Sequence, residues 1–545
     1  MKVKDYIARF LESKGIDTVF LLQGGMITNL VDSIAETTKI KIVTVQHEQA
    51  AAMAVEAYGK LLHKPAVALA TSGPGATNLL TGIASCYFDS VPAIFITGQV
   101  NTKQITKKPF VRQTGFQETD IVSMAAPITK AAFCVTEAKD VQTILETAYA
   151  TAINGRFGPV LIDIPIDIQM EEIDISFDNG TSFFKDFYSD LQNSKRPLIL
   201  AGNGTRIDSV MFKLFLQQYQ IPVVLSLLGL DVLPYDHKER VGFIGTYGNR
   251  WANQALADCD LLLVLGSRMD LRQTANVDKF KAGKKIYHVD LDVSELNNNI
   301  TGCRVLNVEL SEFFKMAVSF DNAYNKYESP IDWVNKIQLE KQNSLDTNEL
   351  TCKGINPNVF IHKLSQASVL AKVFIADVGN NQMWTAQSIE LFEWQYFLTS
   401  GGMGAMGYSL PAAIGASIAL GNAPVVAIVG DGGLQINIQE LQTIRRYNLP
   451  VKIVVLNNNS LGMIRQFQDT YFNGHHISTI DKAPSFVNIA AAYEIDRWYV
   501  ENEDGIEKGL ERMWQFPNSS FLLEVCIDRE TNVVPKVMFG NGLKD

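Results

Sequence analysis

The sequence predicts an α/β protein made of three doubly wound parallel-sheet domains. Short runs of branched apolar residues recur along all 545 positions, each followed by a Gly-rich or polar turn and then a helical stretch. The runs are apolar throughout instead of alternating with polar residues, as strands covered on both faces must be. Length agrees: at roughly 100–200 residues per domain, the chain makes about three or four.

In chain order, the first block holds predicted strands at 18–22, 40–45, 66–70, 93–97 and 160–164. The second holds 198–201, 223–226, 261–265 and 285–289, and the third 373–376, 425–429, 451–456 and 521–525. Polar, irregular joints are expected at 176–195 (SFDNGTSFFKDFYSDLQNSK) and 321–357, which contains LEKQNSLDTNEL. The expected domains are 1–175, 190–325 and 355–540, the first and third alike in architecture.

Composition narrows the function. At 47% hydrophobic and 19% charged, the chain is neither disordered, collagenous nor coiled coil. A net charge of −10 argues against a nucleic-acid partner, which needs clustered positive charge, but leaves room for a local basic pocket. Cys86, Cys134, Cys259, Cys303, Cys352 and Cys526 show no metal-ligand spacing and read as reduced thiols. No apolar run reaches the ~18 residues that span a bilayer, and the N-terminus has no signal-peptide core. A cytoplasmic protein with no membrane partner is expected.

Residues 425–462 carry the strongest chemical signal. Strand 425–429 ends in Gly430-Asp431-Gly432-Gly433, a helix is predicted at 436–447, and strand 451–456 ends in Asn457-Asn458. A right-handed βαβ crossover puts both strand ends on one sheet edge. As neighbours they would lie ~5 Å apart, which makes Asp431 and Asn458 adjacent. A carboxylate oxygen, an amide oxygen and a backbone carbonyl near Ser460 form a hard, all-oxygen site suited to Mg²⁺ shared with substrate phosphates. The glycines allow close backbone approach to a diphosphate, and the helix start supplies amide donors. Taken alone, Gly-Asp-Gly is only a tight turn with a capping Asp. The Asn-Asn at the matching strand end is what points to a metal.

Gly-Asp-Gly followed by Asn-Asn after one helix is the signature of thiamine-diphosphate enzymes. With LTSGGMGAMGYSLPAAIGA (398–416), TSGPGATN (71–78) and HEQAAAMA (47–54), the chain resembles the acetolactate synthase and pyruvate oxidase branch, in order over nearly its whole length. The resemblance implies the thiamine-diphosphate-binding fold, with an N-terminal pyrimidine-binding domain, a central Rossmann-like domain and a C-terminal diphosphate-binding domain.

It also implies roles. Glu48, by itself a helix-start acid, matches the glutamate that hydrogen-bonds N1′ of the aminopyrimidine, so that the cofactor's own 4′-imino group serves as general base. Gly404 matches the carbonyl that accepts from the 4′-amino group. Met406 matches the apolar wedge that bends the cofactor into a V and brings base and C2 together. Gly24, Gly25, Ser72, Pro74, Asn78, Gly379, Asn380, Asn381, Gly430, Gly432, Gly433, Asn458, Leu461, Gly462 and Met463 match cofactor-contacting positions. Asp431, Asn458 and Ser460 match the metal site. Gln23, Phe116, Gln117 and Lys130 match positions lining the substrate channel.

Three departures bear on the substrate. The first loop reads Leu22-Gln23-Gly24-Gly25 where acetolactate-forming relatives usually have Tyr-Pro-Gly-Gly. Phe467 stands where a Trp is common, leaving space for a different acceptor. The diphosphate loop reads Gly379-Asn380-Asn381-Gln382, whose amides still offer donors to phosphate. In the middle block, Gly266-Ser267-Arg268-Met269-Asp270-Leu271-Arg272 and LLGLDVLP (227–234) resemble flavin-facing segments. Ile244 replaces the usual His, and the turn at Gly202-Asn203-Gly204 lacks a third Gly, so FAD stays open.

The reading is an acetolactate synthase-like carboligase: pyruvate, a 2-oxo acid, loses CO₂ and its hydroxyethyl unit passes to a second carbonyl. Gln23 and Phe467 keep open an aldehyde or keto-sugar acceptor, or simple decarboxylation. Intact Glu48, Asp431 and Asn458 argue against a non-catalytic regulatory paralogue. Because the family joins acid and metal site across subunits, a homodimer or homotetramer is expected.

Overall fold

Among the described residues of this computed structural model, three six-stranded sheets form the protein, every pair of their strands parallel. The structure describes residues 1–106, 111–172, 184–292, 295–321, 327, 329–479 and 482–545. The first sheet comprises β1 (Thr18–Leu21), β2 (Lys41–Thr44), β3 (Ala66–Ala70), β4 (Ala93–Gln99), β5 (Ala131–Cys134) and β6 (Pro159–Pro165). The second comprises β7 (Pro197–Ala201), β8 (Val223–Leu225), β9 (Arg240–Phe243), β10 (Leu261–Leu265), β11 (Lys285–Asp290) and β12 (Arg304–Asn307). The third comprises β13 (Val373–Ala376), β14 (Tyr396–Thr399), β15 (Val425–Gly430), β16 (Val451–Asn457), β17 (Asp496–Val500) and β18 (Phe521–Cys526).

The first sheet runs β2-β1-β3-β4-β6-β5 and the third β14-β13-β15-β16-β18-β17. Renumbered from their own first strands these are one order, so the two domains share a topology. The middle sheet runs β12-β11-β10-β7-β8-β9, the dinucleotide-binding order. In each sheet the strand order reverses once: between β1 and β3, between β7 and β10, and between β13 and β15. Ligands of open α/β sheets bind in the crevice beyond the strand ends at that reversal.

The domains share their cores. The Ala-rich face of helix Glu48–Leu62 lies against helix Ser409–Ala419. Their backbones nearly touch: a Cβ on Gly415 would fall 2.3 Å from the Ala54 carbonyl oxygen. One buried apolar cluster runs through both, from Ala50–Ala54 to Leu410–Ala416, and extends to strands of the first and third sheets.

The structure revises two joints. Within 176–195, residues 176–183 lie outside the described residues, but Phe184–Asn193 is a helix that buries Phe187 and Leu191 at i, i+4. Within 321–357, residues 322–326 and 328 lie outside the described residues. Helix Ile331–Asn343 follows, burying Trp333 and Ile337 at i, i+4 and donating the Trp333 indole N–H to the Pro197 carbonyl at 2.9 Å. Both helices show a narrow apolar stripe in an otherwise polar sequence, which is enough when one turn-spaced pair meets a core.

Candidate active site

At the β13/β15 reversal three helix starts converge. Helix Asn380–Ser388 follows β13, helix Asp431–Ile436 follows β15, and helix Gly462–Tyr471 follows β16. The predicted helix at 436–447 in fact begins at Asp431. It breaks at Asn437, whose Nδ2 donates to the Gly407 carbonyl at 2.8 Å, and resumes as Leu441–Tyr447. Asp431 is therefore the first residue of a helix, not part of a free turn.

The β15–β16 register pairs Gly430 with Leu456, as adjacency of Asp431 and Asn458 requires. Both side chains reach one amide: Ser460 N–H lies 3.1 Å from Asp431 Oδ2 and 3.2 Å from Asn458 Oδ1. Asp431 Oδ1 accepts from Gly432 N–H at 2.8 Å. The Ser460 carbonyl accepts from Gly462 N–H at 2.8 Å, and its hydroxyl donates to the Thr479 carbonyl. Among the described residues no group of three His, Cys, Asp or Glu side chains could hold a metal. One carboxylate with amide and carbonyl oxygens suits a hard cation that keeps water or phosphate ligands.

The glycines here are spaces. A Cβ on Gly432 would sit 2.6 Å from Leu461 Cδ2 and 3.6 Å from Met406 Cε, which locates Met406 over the Asp431 helix start. A Cβ on Gly462 would meet Asn380 Nδ2 at 2.6 Å and Asn458 Nδ2 at 2.8 Å; one on Gly430 would approach Asn381 Oδ1 at 3.2 Å. Gly379, at φ 140°, gives helix Asn380–Ser388 its entry. Asn380 Oδ1 is buried with no hydrogen-bond partner among the described residues, as a group awaiting a ligand would be.

At the β1/β3 reversal Gly24 packs on Thr71, with a Cβ there only 2.5 Å from Thr71 Cβ. Glu48 is the first residue of helix Glu48–Leu62, capped by His47 Nδ1 accepting from Gln49 N–H at 3.2 Å. The Glu48 carboxylate is buried; Oε2 accepts from Asn78 Nδ2 at 3.0 Å, and Oε1 lies 3.1 Å from where a Gly75 Cβ would stand. Helix Pro74–Phe88 starts with Pro74 at its first position, and Ser72 Oγ is a second buried polar atom with no partner among the described residues.

The substrate-channel positions are more scattered. Gln23 is exposed and donates Nε2 to Thr28 Oγ1 at 3.3 Å. Gly25 opens a 3₁₀ turn through Ile27. Phe116 is 82% exposed. Gln117 holds a left-handed φ of 66°, and its Cβ would lie 2.9 Å from a Cβ on Gly73, so it abuts the Ser72–Pro74 turn. Lys130 turns elsewhere, donating Nζ to the Asn154 carbonyl at 2.7 Å.

The segment 400–409 contains Gly404, at φ 63°, a conformation that favours Gly. Its far end is held by Asp377, which sequence reasoning missed. Asp377 Oδ1 accepts from Gly407 N–H at 2.9 Å and Oδ2 from Ser409 N–H at 2.8 Å. Burial pushes the Asp377 carboxyl up to about 6. Its only sequence signal was an Asp directly after a strand.

At the β7/β10 reversal Gly202 N–H donates to the Leu265 carbonyl, and Gly204 N–H to the Gly266 carbonyl. A cavity of about 510 Å³ opens there, lined by Gly204, Ile244, Arg268 and Asp270, and it extends to Gly379, Met463 and Phe467. Phe467 packs with Tyr471 and Phe539 in that cavity, ring centroids 4.8 and 6.3 Å away.

Family models match each domain. Residues 1–124 match "Thiamine pyrophosphate enzyme, N-terminal TPP binding domain", residues 185–307 its central domain, and residues 377–525 its C-terminal TPP binding domain. The acetolactate synthase large subunit of Lactococcus lactis subsp. lactis (strain IL1403) is 34% identical over 551 residues, covering 98% of this chain and 94% of that protein. The acetolactate synthase isozyme 2 large subunit of Escherichia coli (strain K12) is 34% identical over 550 residues, covering 98% and 97%. Acetolactate synthase, chloroplastic, of Arabidopsis thaliana is 33% identical over 573 residues, covering 100% and 84%.

Proposed function

Because the chain belongs to the thiamine-diphosphate-dependent acetolactate synthase family, we infer that it is a carboligase that decarboxylates pyruvate and joins the remaining two-carbon unit to a second carbonyl. The observation that carries this is that the chain holds both a buried carboxylate at one sheet reversal, Glu48, and an Asp431–Asn458 oxygen site at another.

When bound, thiamine diphosphate supplies an electron sink for decarboxylation. The protein's part is to hold it and to move one proton. Asp431, Asn458 and the Ser460 carbonyl would hold Mg²⁺, and the amides at the starts of the Asn380 and Gly462 helices would receive the diphosphate. Asn380 Oδ1, without a partner among the described residues, leaves an acceptor there for a metal-bound water, and the likewise orphaned Ser72 Oγ leaves a polar group at the Glu48 end. Gly379, Asn381, Gly430, Gly432, Gly433, Leu461 and Met463 would shape the floor, and Met406, close to Gly432, would pack against the cofactor. Glu48, held by Asn78, would hydrogen-bond the pyrimidine ring, and the Gly404 carbonyl would accept from its amino group. Gly24, Gly25, Pro74 and Asn78 line the pyrimidine side, with Gln23, Phe116 and Gln117 facing substrate.

The middle cavity suits a dinucleotide such as FAD as a structural ligand, because it opens at the reversal of a dinucleotide-type sheet beside Arg268 and Asp270. Active sites formed between two subunits are part of the same proposal.

Substituting Glu48→Gln tests the function. CO₂ release from pyruvate should fall by about 10²–10⁴-fold, the range of one general-acid/base contribution, while the cofactor still binds. Undiminished release would overturn the assignment. Mass spectrometry of products formed from pyruvate with a panel of oxo acids and aldehydes identifies the acceptor.

A further inference from the structure

Segment 400–409 is fastened at both ends by buried carboxylates, and the two come from different domains. Asp377 holds Gly407 and Ser409 from within the third domain. The other anchor is Asp89 of the first domain, at the end of helix Pro74–Phe88. Asp89 Oδ1 accepts from Gly402 N–H at 2.5 Å and Oδ2 from Gly401 N–H at 3.1 Å. There is no slack: a Cβ on Gly402 would lie 2.4 Å from Phe88 Cβ and 2.8 Å from Asp89 Oδ1.

Asp89 is locked in turn by Lys60. The ammonium's three protons meet three acceptors: Asp89 Oδ2 at 2.9 Å, Glu56 Oε1 at 2.5 Å and the Thr399 carbonyl at 3.0 Å. It also lies 5.4 Å from the Tyr408 ring centroid. All three charged side chains are buried, and Glu56 Oε2 has no partner among the described residues. Ser85 and Ser400 hydroxyls pair at 3.1 Å, and Ser400 Oγ accepts from Ala405 N–H at 3.2 Å. An ion pair that served only to stabilise one domain would not need to spend its oxygens on another domain's glycine amides.

We propose that Asp89, locked by Lys60, is a positioning residue for the reaction: by fixing the Gly401 and Gly402 amides it sets the arch that presents the Gly404 carbonyl and Met406 to the pyrimidine. This rests on the roles given above to Glu48 and Gly404. Two amides tied to a carboxylate define both height and tilt of the loop. A displacement of about 1 Å at such a contact costs on the order of 10²-fold in rate.

The test compares Asp89→Asn, Lys60→Met, Lys60→Arg and Glu48→Gln in full-length enzyme saturated with thiamine diphosphate and Mg²⁺. The readouts are cofactor affinity, hydrogen–deuterium exchange at the thiazolium C2, the circular-dichroism signature of the pyrimidine tautomer, and pyruvate kinetics. Asp89→Asn should slow C2 exchange and kcat together by about 10–100-fold, with KM and cofactor affinity within about threefold. Lys60→Met should do the same, and Lys60→Arg should restore exchange. If Asp89→Asn is folded, saturated and exchanges at the wild-type rate, while Glu48→Gln does not, the Asp89 proposal is wrong. Undiminished exchange in Glu48→Gln overturns the underlying site reading instead. Failure of Asp89→Asn, Lys60→Met and Lys60→Arg to fold would mark the cluster as purely structural and also overturn the proposal.

Discussion

In the proposed site a single carboxylate carries the metal end, so Asp431 is where one substitution should separate fold from function. Its two oxygens accept from Gly432 N–H and Ser460 N–H, which fix the carboxylate beside the place proposed for the cation. Removing the side chain leaves the β15–β16 register intact, since that pairing is backbone to backbone. Asp431→Ala should weaken thiamine diphosphate binding by about a hundredfold, or about 2.7 kcal/mol, with little change in melting temperature. Calorimetry with and without a chelator checks the cause. Wild type should lose most of its affinity when Mg²⁺ is stripped, whereas the variant should lose little more. Equal sensitivity to the chelator in both proteins would remove Asp431 from the metal site. Asp431 and Asn458 were legible in the sequence because strand ends and spacing fix their neighbourhood. Asp377 was not, because its meaning lies in amides 30 and 32 residues away that only the folded loop returns to it.

At the level of elements, the helix Pro357–Ala367 shows how a joint is held. His362 Nδ1 lies 2.7 Å from Glu390 Oε1, and Nε2 lies 3.0 Å from Asp346 Oδ2, which also accepts from Ser388. The hydrogen bonds and charges of Asp346 and Glu390 outweigh the burial that opposes them and raise the imidazole to about 9. A His raised in the folded state stabilises fully below its unfolded value near 6.5, and the gain disappears as pH rises through about 9. The stability gap between wild type and His362→Gln should therefore be widest near pH 6, on the order of 2–3 kcal/mol. It should narrow between pH 7 and 9.5, as read from urea midpoints. A gap independent of pH would show that packing, not charge, holds the joint. Asp346 belongs to the stretch read from the sequence as an irregular linker. The same blindness applied to strands: β5, β9, β12, β14 and β17 were not predicted, and all five are sheet edges. An edge strand is covered less completely, which leaves β17 charged and exposed, but that does not account for β5 (AAFC), wholly apolar, or β9 (RVGF), buried at all four positions. β17 (DRWYV) is mostly exposed and β5 half-buried throughout, whereas β3, β4 and β16 are buried at every position. Interior strands, and the glycine turns that follow them at the reversals, were legible for that reason.

Across the whole molecule the proposed site spans two sheets, and a second chain can complete it. Glu48 belongs to the first sheet's reversal and Asp431 to the third's, and apolar surface remains exposed beside both. Phe116 is 82% exposed near the Ser72–Pro74 turn, Met403 is 41% exposed beside Gly404, and Ile436 is 45% exposed at the end of the Asp431 helix. Apolar side chains left uncovered around a catalytic loop are what a second subunit would cover. If a symmetric dimer builds each site from Glu48 of one protomer and Asp431 of the other, two inactive variants can rescue each other. Glu48→Gln and Asp431→Ala homodimers have no intact site. In a mixed dimer the wild-type Glu48 faces the wild-type Asp431 once and the two mutated residues face each other once. Random exchange of equal amounts makes half the dimers mixed, so about a quarter of wild-type activity should return. Sites contained within one chain would stay broken in every combination, and no activity would return. The variants should be mixed under conditions that let subunits exchange, with sedimentation confirming that dimers re-form. Carboligation assayed before and after mixing then reports directly whether the catalytic acid and the metal are brought together by folding or by assembly.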